Sequence, residues 1–160
     1  MFWQFITFFG DLRFWIGTSL LSFFLFFIMP KKYKKYFSLF VFLILPSVIM
    51  SFMISHGLKL IFKIPRPCVG LPNCPNTYSL PSGHTSVIFA VMTALGLHYK
   101  KKNVLILMLI FAGLVGISRI VLGVHTIEDV LAGFVIGLTV GFLIQKAYET
   151  HYKELKEILS

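Results

Sequence analysis

The sequence predicts an all-α, polytopic membrane helical bundle of about five transmembrane helices preceded by an N-terminal interfacial segment, and three observations carry that prediction. Mean hydropathy is +0.85, with 57% hydrophobic and only 13% charged residues, about half the charge of a soluble domain. Apolar runs recur that are longer than a soluble core helix needs and suited to crossing hydrocarbon. Short lysine clusters flank those runs, as orientation signals do. A chain of 160 residues accommodates one such bundle, so residues 1–160 form a single domain. The net charge of +9 lies mostly beside apolar segments, which argues for membrane topology and against nucleic acid as a partner.

Residues 1–13, MFWQFITFFGDLR, are aromatic with a polar end at Asp11 and Arg13. They are too short to span and lack a small-residue cleavage site, so they read as an interfacial segment and not as a cleaved signal peptide. The first span runs from Phe14 to Met29 and is stopped by Pro30 and KKYKK. A second covers Tyr36 to Phe62, with a kink at Pro46. Residues 63–81 hold five of the seven prolines and form an outer loop. A short third span follows from Thr85 to His98, a fourth from Asn103 to Ile117 and a fifth from Thr126 to Lys146. The polar tail, 147–160, is amphipathic and assigned to the cytoplasmic side.

Five spans put Lys31 to Lys35, Lys100 to Lys102, and Lys146, Lys153 and Lys156 on one side, which the positive-inside rule makes cytoplasmic. Lys59, Arg66, His84, Arg119 and His125 then share the opposite face. The sequence therefore predicts a multi-pass protein of the cytoplasmic (inner) membrane, with its chemistry facing the periplasm or exterior.

The densest polar stretch is SRIVLGVHTIED, Ser118 to Asp129. His125 and Asp129 are four apart; a helix beginning here raises both from one face, and the carboxylate fixes the imidazole's tautomer. Arg119 offers a planar fork for phosphate or carboxylate. The bland alternative is an interfacial arginine paired with Asp129 or Glu128. Two further pieces join it: Lys59 at a helix end with Arg66 in the loop, and Pro81-Ser82-Gly83-His84. There Ser82 caps a helix and Gly83 lets a ligand approach the backbone. A helix N-terminus is itself an anion site. This inventory suits phosphoryl transfer with neither metal nor cofactor. Lys59, Arg66 and Arg119 hold phosphate oxygens, aided by Ser82 and the Gly83 amide. His125, oriented by Asp129, attacks phosphorus, and His84 protonates the leaving oxygen and then activates water.

The pattern K-x6-RP (Lys59, Arg66, Pro67), PSGH (Pro81 to His84) and SR-x5-H-x3-D (Ser118, Arg119, His125, Asp129) resembles the complete three-part signature of the type 2 phosphatidic acid phosphatase superfamily. The resemblance covers about residues 55–140. It implies a helical bundle and a metal-free phosphohistidine mechanism, with His125 as nucleophile, His84 as acid/base and Asp129 as the orienting carboxylate. It also implies a lipid phosphate or pyrophosphate as substrate: undecaprenyl pyrophosphate, phosphatidylglycerol phosphate or the 1-phosphate of lipid A. A lipid-to-lipid phosphotransferase using the same histidine is the rival; a vanadate-dependent peroxidase, whose relatives are typically large and soluble, and a non-catalytic membrane scaffold or transporter are the remaining alternatives.

Other residues stay open at this level. Cys68 and Cys74 form a disulfide if their side is oxidising, or are two free thiols. Gly133, Gly137 and Gly141 make a smooth stripe that packs inside a monomer, the favoured reading, or forms a dimer. His56, His98 and His151 match no motif. Asn73, Asn76 and Tyr78 are candidates for head-group selection.

Overall fold

A computed structural model describes residues 1–28, 30, 39–72 and 74–158, with backbone alone at 23 and 152–158. Lys31 to Lys35 and Asn73 lie outside the described residues, as do the side chains of Lys153 and Lys156. Every regular element among the described residues is helical: α1 Phe2–Phe8, α2 Leu12–Ile28, a π-helical turn Phe40–Ile44 continuous with α3 Leu45–Phe62, α4 Gly83–His98, α5 Lys102–Val121 and α6 Ile127–Ile158. The chain is an integral membrane helical bundle. Pro46, in the first turn of α3, cannot donate to the preceding turn, and the widened π-turn directly before it absorbs that loss without a break.

The bundle is organised around α4. Ten of its 16 residues are buried, and Ile88, Ala90, Val91 and Ala94 are wholly enclosed. At about 1.5 Å per residue it is shorter than the roughly 30 Å of bilayer hydrocarbon. The short third span read from the sequence is this helix, and the count of about five is approximate. Among the described residues, three helical stretches, Phe40–Phe62, Lys102–Val121 and Ile127–His151, are long and apolar enough to cross, and α1 with α2, bent by 54°, counts as a fourth if the pair is taken as one span. α4 is enclosed by α3, α5 and α6, so it does not need to meet lipid along its full length.

Two seams lock α4 in place. On α6, a Cβ added to Gly133 would lie 2.6 Å from Ser82 O, one on Gly137 2.5 Å from Phe89 Cβ, and one on Gly141 2.5 Å from Ala90 O. The glycine stripe thus packs within the bundle, where only a missing side chain permits such close approach. On α3, Ser47, Ser51 and Ser55 are buried at four-residue spacing. Each hydroxyl donates to the carbonyl four residues back, at 2.7, 2.6 and 2.7 Å. Ser55 Oγ also bonds Ser86 Oγ of α4 at 2.7 Å. The next step along this row is Lys59, carried to the end of the bundle where α4 and α6 begin.

The N-terminal segment packs on the bundle. Ile6 is buried, α1 packs against α5, and Trp15 Nε1 donates to Phe9 O at 3.0 Å. A Cβ at Gly10 would meet His84 Cβ at 2.9 Å, so the bend between α1 and α2 fits directly onto the start of α4. At the other terminus the helix does not end near Lys146; α6 continues to Ile158.

Candidate active site

His125 and Asp129 do not rise together from one helix, as their spacing predicted. His125 stands two residues ahead of α6, and Thr126 and Asp129 form a reciprocal cap. Thr126 N donates to Asp129 Oδ2 at 2.8 Å and Asp129 N to Thr126 Oγ1 at 3.4 Å, which satisfies two orphan amides of the first turn. The same carboxylate oxygen is 3.2 Å from His125 Nδ1 and accepts the Ser79 hydroxyl. Both Asp129 and His125 are buried.

The tautomer follows from the opposite nitrogen. Arg66 Nη1 lies 3.0 Å from His125 Nε2. A guanidinium only donates, so Nε2 accepts and Nδ1 carries the proton directed at Asp129. Arg66 is itself held by Thr77 O (2.8 Å), Thr77 Oγ1 (2.8 Å) and Val124 O (2.9 Å). Burial, and then the positive charges of Arg66, Lys59 and Arg119, push the His125 pKa down to about 3 against the attraction of Asp129.

The remaining signature residues gather at this end. Lys59 Nζ donates to Tyr78 O and Ser79 O, both at 2.7 Å, tying α3 to the loop. Lys63 adopts the left-handed conformation (φ 50°) that ends α3 and turns the chain towards Arg66. Arg119, in the last turn of α5, pairs with neither Asp129 nor Glu128. Its Nη1 donates to Thr7 Oγ1 at 2.6 Å, while its buried Nε has no partner. An orphaned guanidinium donor in a buried cluster of cations is a place for an anionic oxygen.

Ser82 occupies the N-cap position of α4, yet its side chain makes no cap bond, which corrects the capping expectation. Its Oγ accepts from Thr85 Oγ1 at 3.0 Å. Its backbone N donates to Asp129 O at 2.9 Å, joining the starts of α4 and α6. Beside Gly83, the space that a Cβ would fill has no neighbour within 4 Å. His84 presents a side chain 27% exposed, with Nε2 4.0 Å from Asp11 Oδ2. Asp11 is fixed in turn by Arg13 at 2.9 Å. Cys68 and Cys74 are joined by a disulfide in the loop that carries Arg66. Among the described residues, no group of three or more His, Cys, Asp or Glu side chains could hold a metal ion.

Sequence reasoning missed Thr7, Asp11, Thr77, Ser79 and Thr126. Only Thr126 left a readable signal, since T-x-x-D ahead of an apolar run is a capping box. The others act through pairings between distant parts of the chain.

Residues 40–153 match the family model described as PAP2 superfamily. The chain belongs to the PAP2 superfamily. It is 36% identical over 91 residues to phosphatidylglycerophosphatase B of Bacillus subtilis, covering 51% of this chain and 44% of that protein. It is 38% identical over 82 residues to an undecaprenyl-diphosphatase of Sulfolobus acidocaldarius, covering 51% and 39%. To undecaprenyl-diphosphatase BcrC of Bacillus subtilis it is 31% identical over 101 residues, covering 59% and 51%. The chain thus spans about half the length, or less, of these curated relatives. Among solved structures, the PAP2-type phosphatidylglycerolphosphate phosphatase of Bacillus subtilis superposes with a TM-score of 0.75 at 28% identity, covering 92% of this chain and 75% of that one. Aquifex aeolicus LpxE gives 0.69 at 26%, covering 91% and 84%. The family match begins at residue 40, so Thr7 and Asp11, which contact Arg119 and His84, lie outside the matched region.

Proposed function

We propose that this PAP2 protein is a membrane lipid phosphatase that hydrolyses a lipid phosphate or pyrophosphate monoester at the outer face of the membrane through a phosphohistidine. The observation that carries the proposal is the His125 imidazole: its Nδ1 proton faces Asp129, and its Nε2 lone pair faces a guanidinium within a cluster of three fixed cations. An anionic head group entering that cluster gives Arg66 a better acceptor than Nε2, because a charged oxygen outcompetes a neutral nitrogen. Nε2 is released to attack phosphorus, and the bond from phosphorus to the lipid oxygen breaks. Lys59, Arg66 and Arg119 offset charge on the equatorial oxygens. Burial and then Arg119 push the His84 pKa down to about 3 in the free enzyme, so His84 takes up its proton when the anionic head group binds; it then gives that proton to the departing oxygen, with Asp11 as its counter-charge. Water then attacks the phosphohistidine while neutral His84 takes the proton, releasing inorganic phosphate and restoring both imidazoles.

The substrate class follows from the setting: a lipid tail remains in the bilayer beside α3 and α5 while the phosphate reaches the helix ends. The names of the relatives support phosphatidylglycerol phosphate and undecaprenyl pyrophosphate, and lipid A 1-phosphate remains a candidate. A disulfide at the site end and Lys100 to Lys102 at the other end of α4 support an outward-facing site, since disulfides persist in oxidising compartments. The test is phosphate release by the purified protein over these three lipids and phosphatidic acid, with chelator present. The expected result is chelator-insensitive release from at least one lipid, with no phosphorylated acceptor lipid. Transfer of the phosphate to a second lipid would overturn hydrolysis in favour of a phosphotransferase.

A further inference from the structure

The glycine stripe on α6 has a fourth position, and it is not glycine. Gly133, Gly137 and Gly141 seat α6 against α4; one turn on, the same face carries Gln145. The seam therefore closes tightly for three turns and opens at the fourth. The opening is a cavity of about 420 Å³ lined by Leu97, Lys100, Phe142, Gln145, Lys146 and Glu149. It lies at the lysine-rich end of the bundle. Thirteen residues of α4 separate Leu97 from His84, about 20 Å along the axis, so the cavity is distinct from the proposed active site.

Its chemistry is unfilled. Gln145 is only 4% exposed, and neither its Nε2 nor its Oε1 has a hydrogen-bond partner. Thr93 Oγ1, one turn further in on the same face of α4, is also buried without one. Buried polar groups are normally paired, and an amide with both ends unpaired calls for a ligand that accepts and donates together. Lys100 and Lys146 supply positive charge, and Lys100 is steadied by Glu149 at 3.1 Å. Phe142, 52% exposed, and Leu97 form an apolar wall beside these polar groups.

We propose that this cavity is a second binding site, for a phosphate-bearing polar group that also carries a hydroxyl or ammonium donor. The phosphate oxygens accept from Gln145 Nε2 and the two lysines, and the donor reaches Gln145 Oε1. The apolar wall favours a phospholipid head group, with its glycerol and chains lying along Phe142; free phosphate is the other source of the same chemistry.

The test uses the protein of residues 1–160 in detergent, titrated separately with dioctanoyl phosphatidylglycerol and with inorganic phosphate while thermal unfolding is followed. The expected result is a saturable rise in unfolding temperature that Gln145→Leu abolishes or shifts to at least about tenfold higher ligand concentration. Gln145→Leu should unfold no earlier than the parent without ligand, since it removes an unpaired buried amide. Lys146→Met, an exposed site where folding is not at stake, should weaken the response several-fold at low salt and less at high salt. A rise with the lipid alone identifies a membrane lipid as the ligand, and a rise with both identifies the free anion as sufficient. No rise with either probe, or a rise that survives Gln145→Leu unchanged, overturns the proposal.

Discussion

At the level of single residues, one donor determines how His125 is poised. Because Arg66 occupies Nε2, the imidazole is neutral and its Nδ1 proton is directed to Asp129. His125→Ala is expected to lower phosphate release on the order of 10³-fold or more, and Asp129→Asn by roughly 10² to 10⁴, since the amide supports the wrong tautomer. Retained activity in His125→Ala would remove the phosphohistidine. The pH dependence has a defined sign. With its pKa held near 3 against an ordinary value of about 6.5, His125 in the free enzyme binds its proton only in strong acid. Its limb in kcat/KM should therefore lie well below pH 5. A bound phosphate favours the imidazolium, so the corresponding limb in kcat should lie higher. The linked stability runs the same way. The unfolded chain binds that proton first, so stability is complete above about pH 6.5 and falls as pH drops towards 3. Rate profiles with the limb order reversed would contradict this account. Thr7, bonded to Arg119 at 2.6 Å, is a positioning residue: Thr7→Val should raise KM about tenfold with little change in kcat.

The helices explain why these side chains can meet. α4 is short and largely enclosed because glycines on one side and serines on the other let α6 and α3 approach at near-backbone distance. A Cβ at Gly133 would sit 2.6 Å from Ser82 O and one at Gly137 2.6 Å from Ser86 O, where the obstacle is backbone and cannot swing away. Gly133→Ala and Gly137→Ala should each cost about 1–3 kcal/mol of stability. Gly133→Ala should in addition lower activity, because the same contact sets the Ser82 N to Asp129 O bond. Gly113 on α5 has nothing within 4 Å of its would-be Cβ, so Gly113→Ala should be neutral or stabilising by up to about 1 kcal/mol. Thermal unfolding in detergent compares all three. Equal effects at Gly113 and Gly137 would mean that the α4–α6 seam is not the close contact described here.

For the molecule as a whole, the apolar runs and lysine clusters were enough to read a single membrane bundle, and three short motifs were enough to identify residues that the fold brings to one end. Hydropathy follows composition along the chain and is blind to enclosure, so it could not distinguish a 16-residue helix surrounded by protein from one facing lipid. Nor could it foresee that Thr7 and Asp11 reach Arg119 and His84 across more than seventy residues, since such pairings leave no periodic trace. Orientation is where the molecular scale can be tested. Cys68 and Cys74 lie at the site end and Lys101 at the other end of α4, so one labelling pattern fixes the sidedness of both. In spheroplasts of an expression host, after mild reduction, a membrane-impermeant maleimide should modify Cys68 and Cys74 without permeabilisation. A single cysteine introduced by Lys101→Cys, in a Cys68→Ser/Cys74→Ser background, should react only once the membrane is opened. The reverse pattern would turn the histidines towards the cytoplasm, place the disulfide in a reducing compartment where it would not persist, and require the substrate to be a lipid of the inner leaflet.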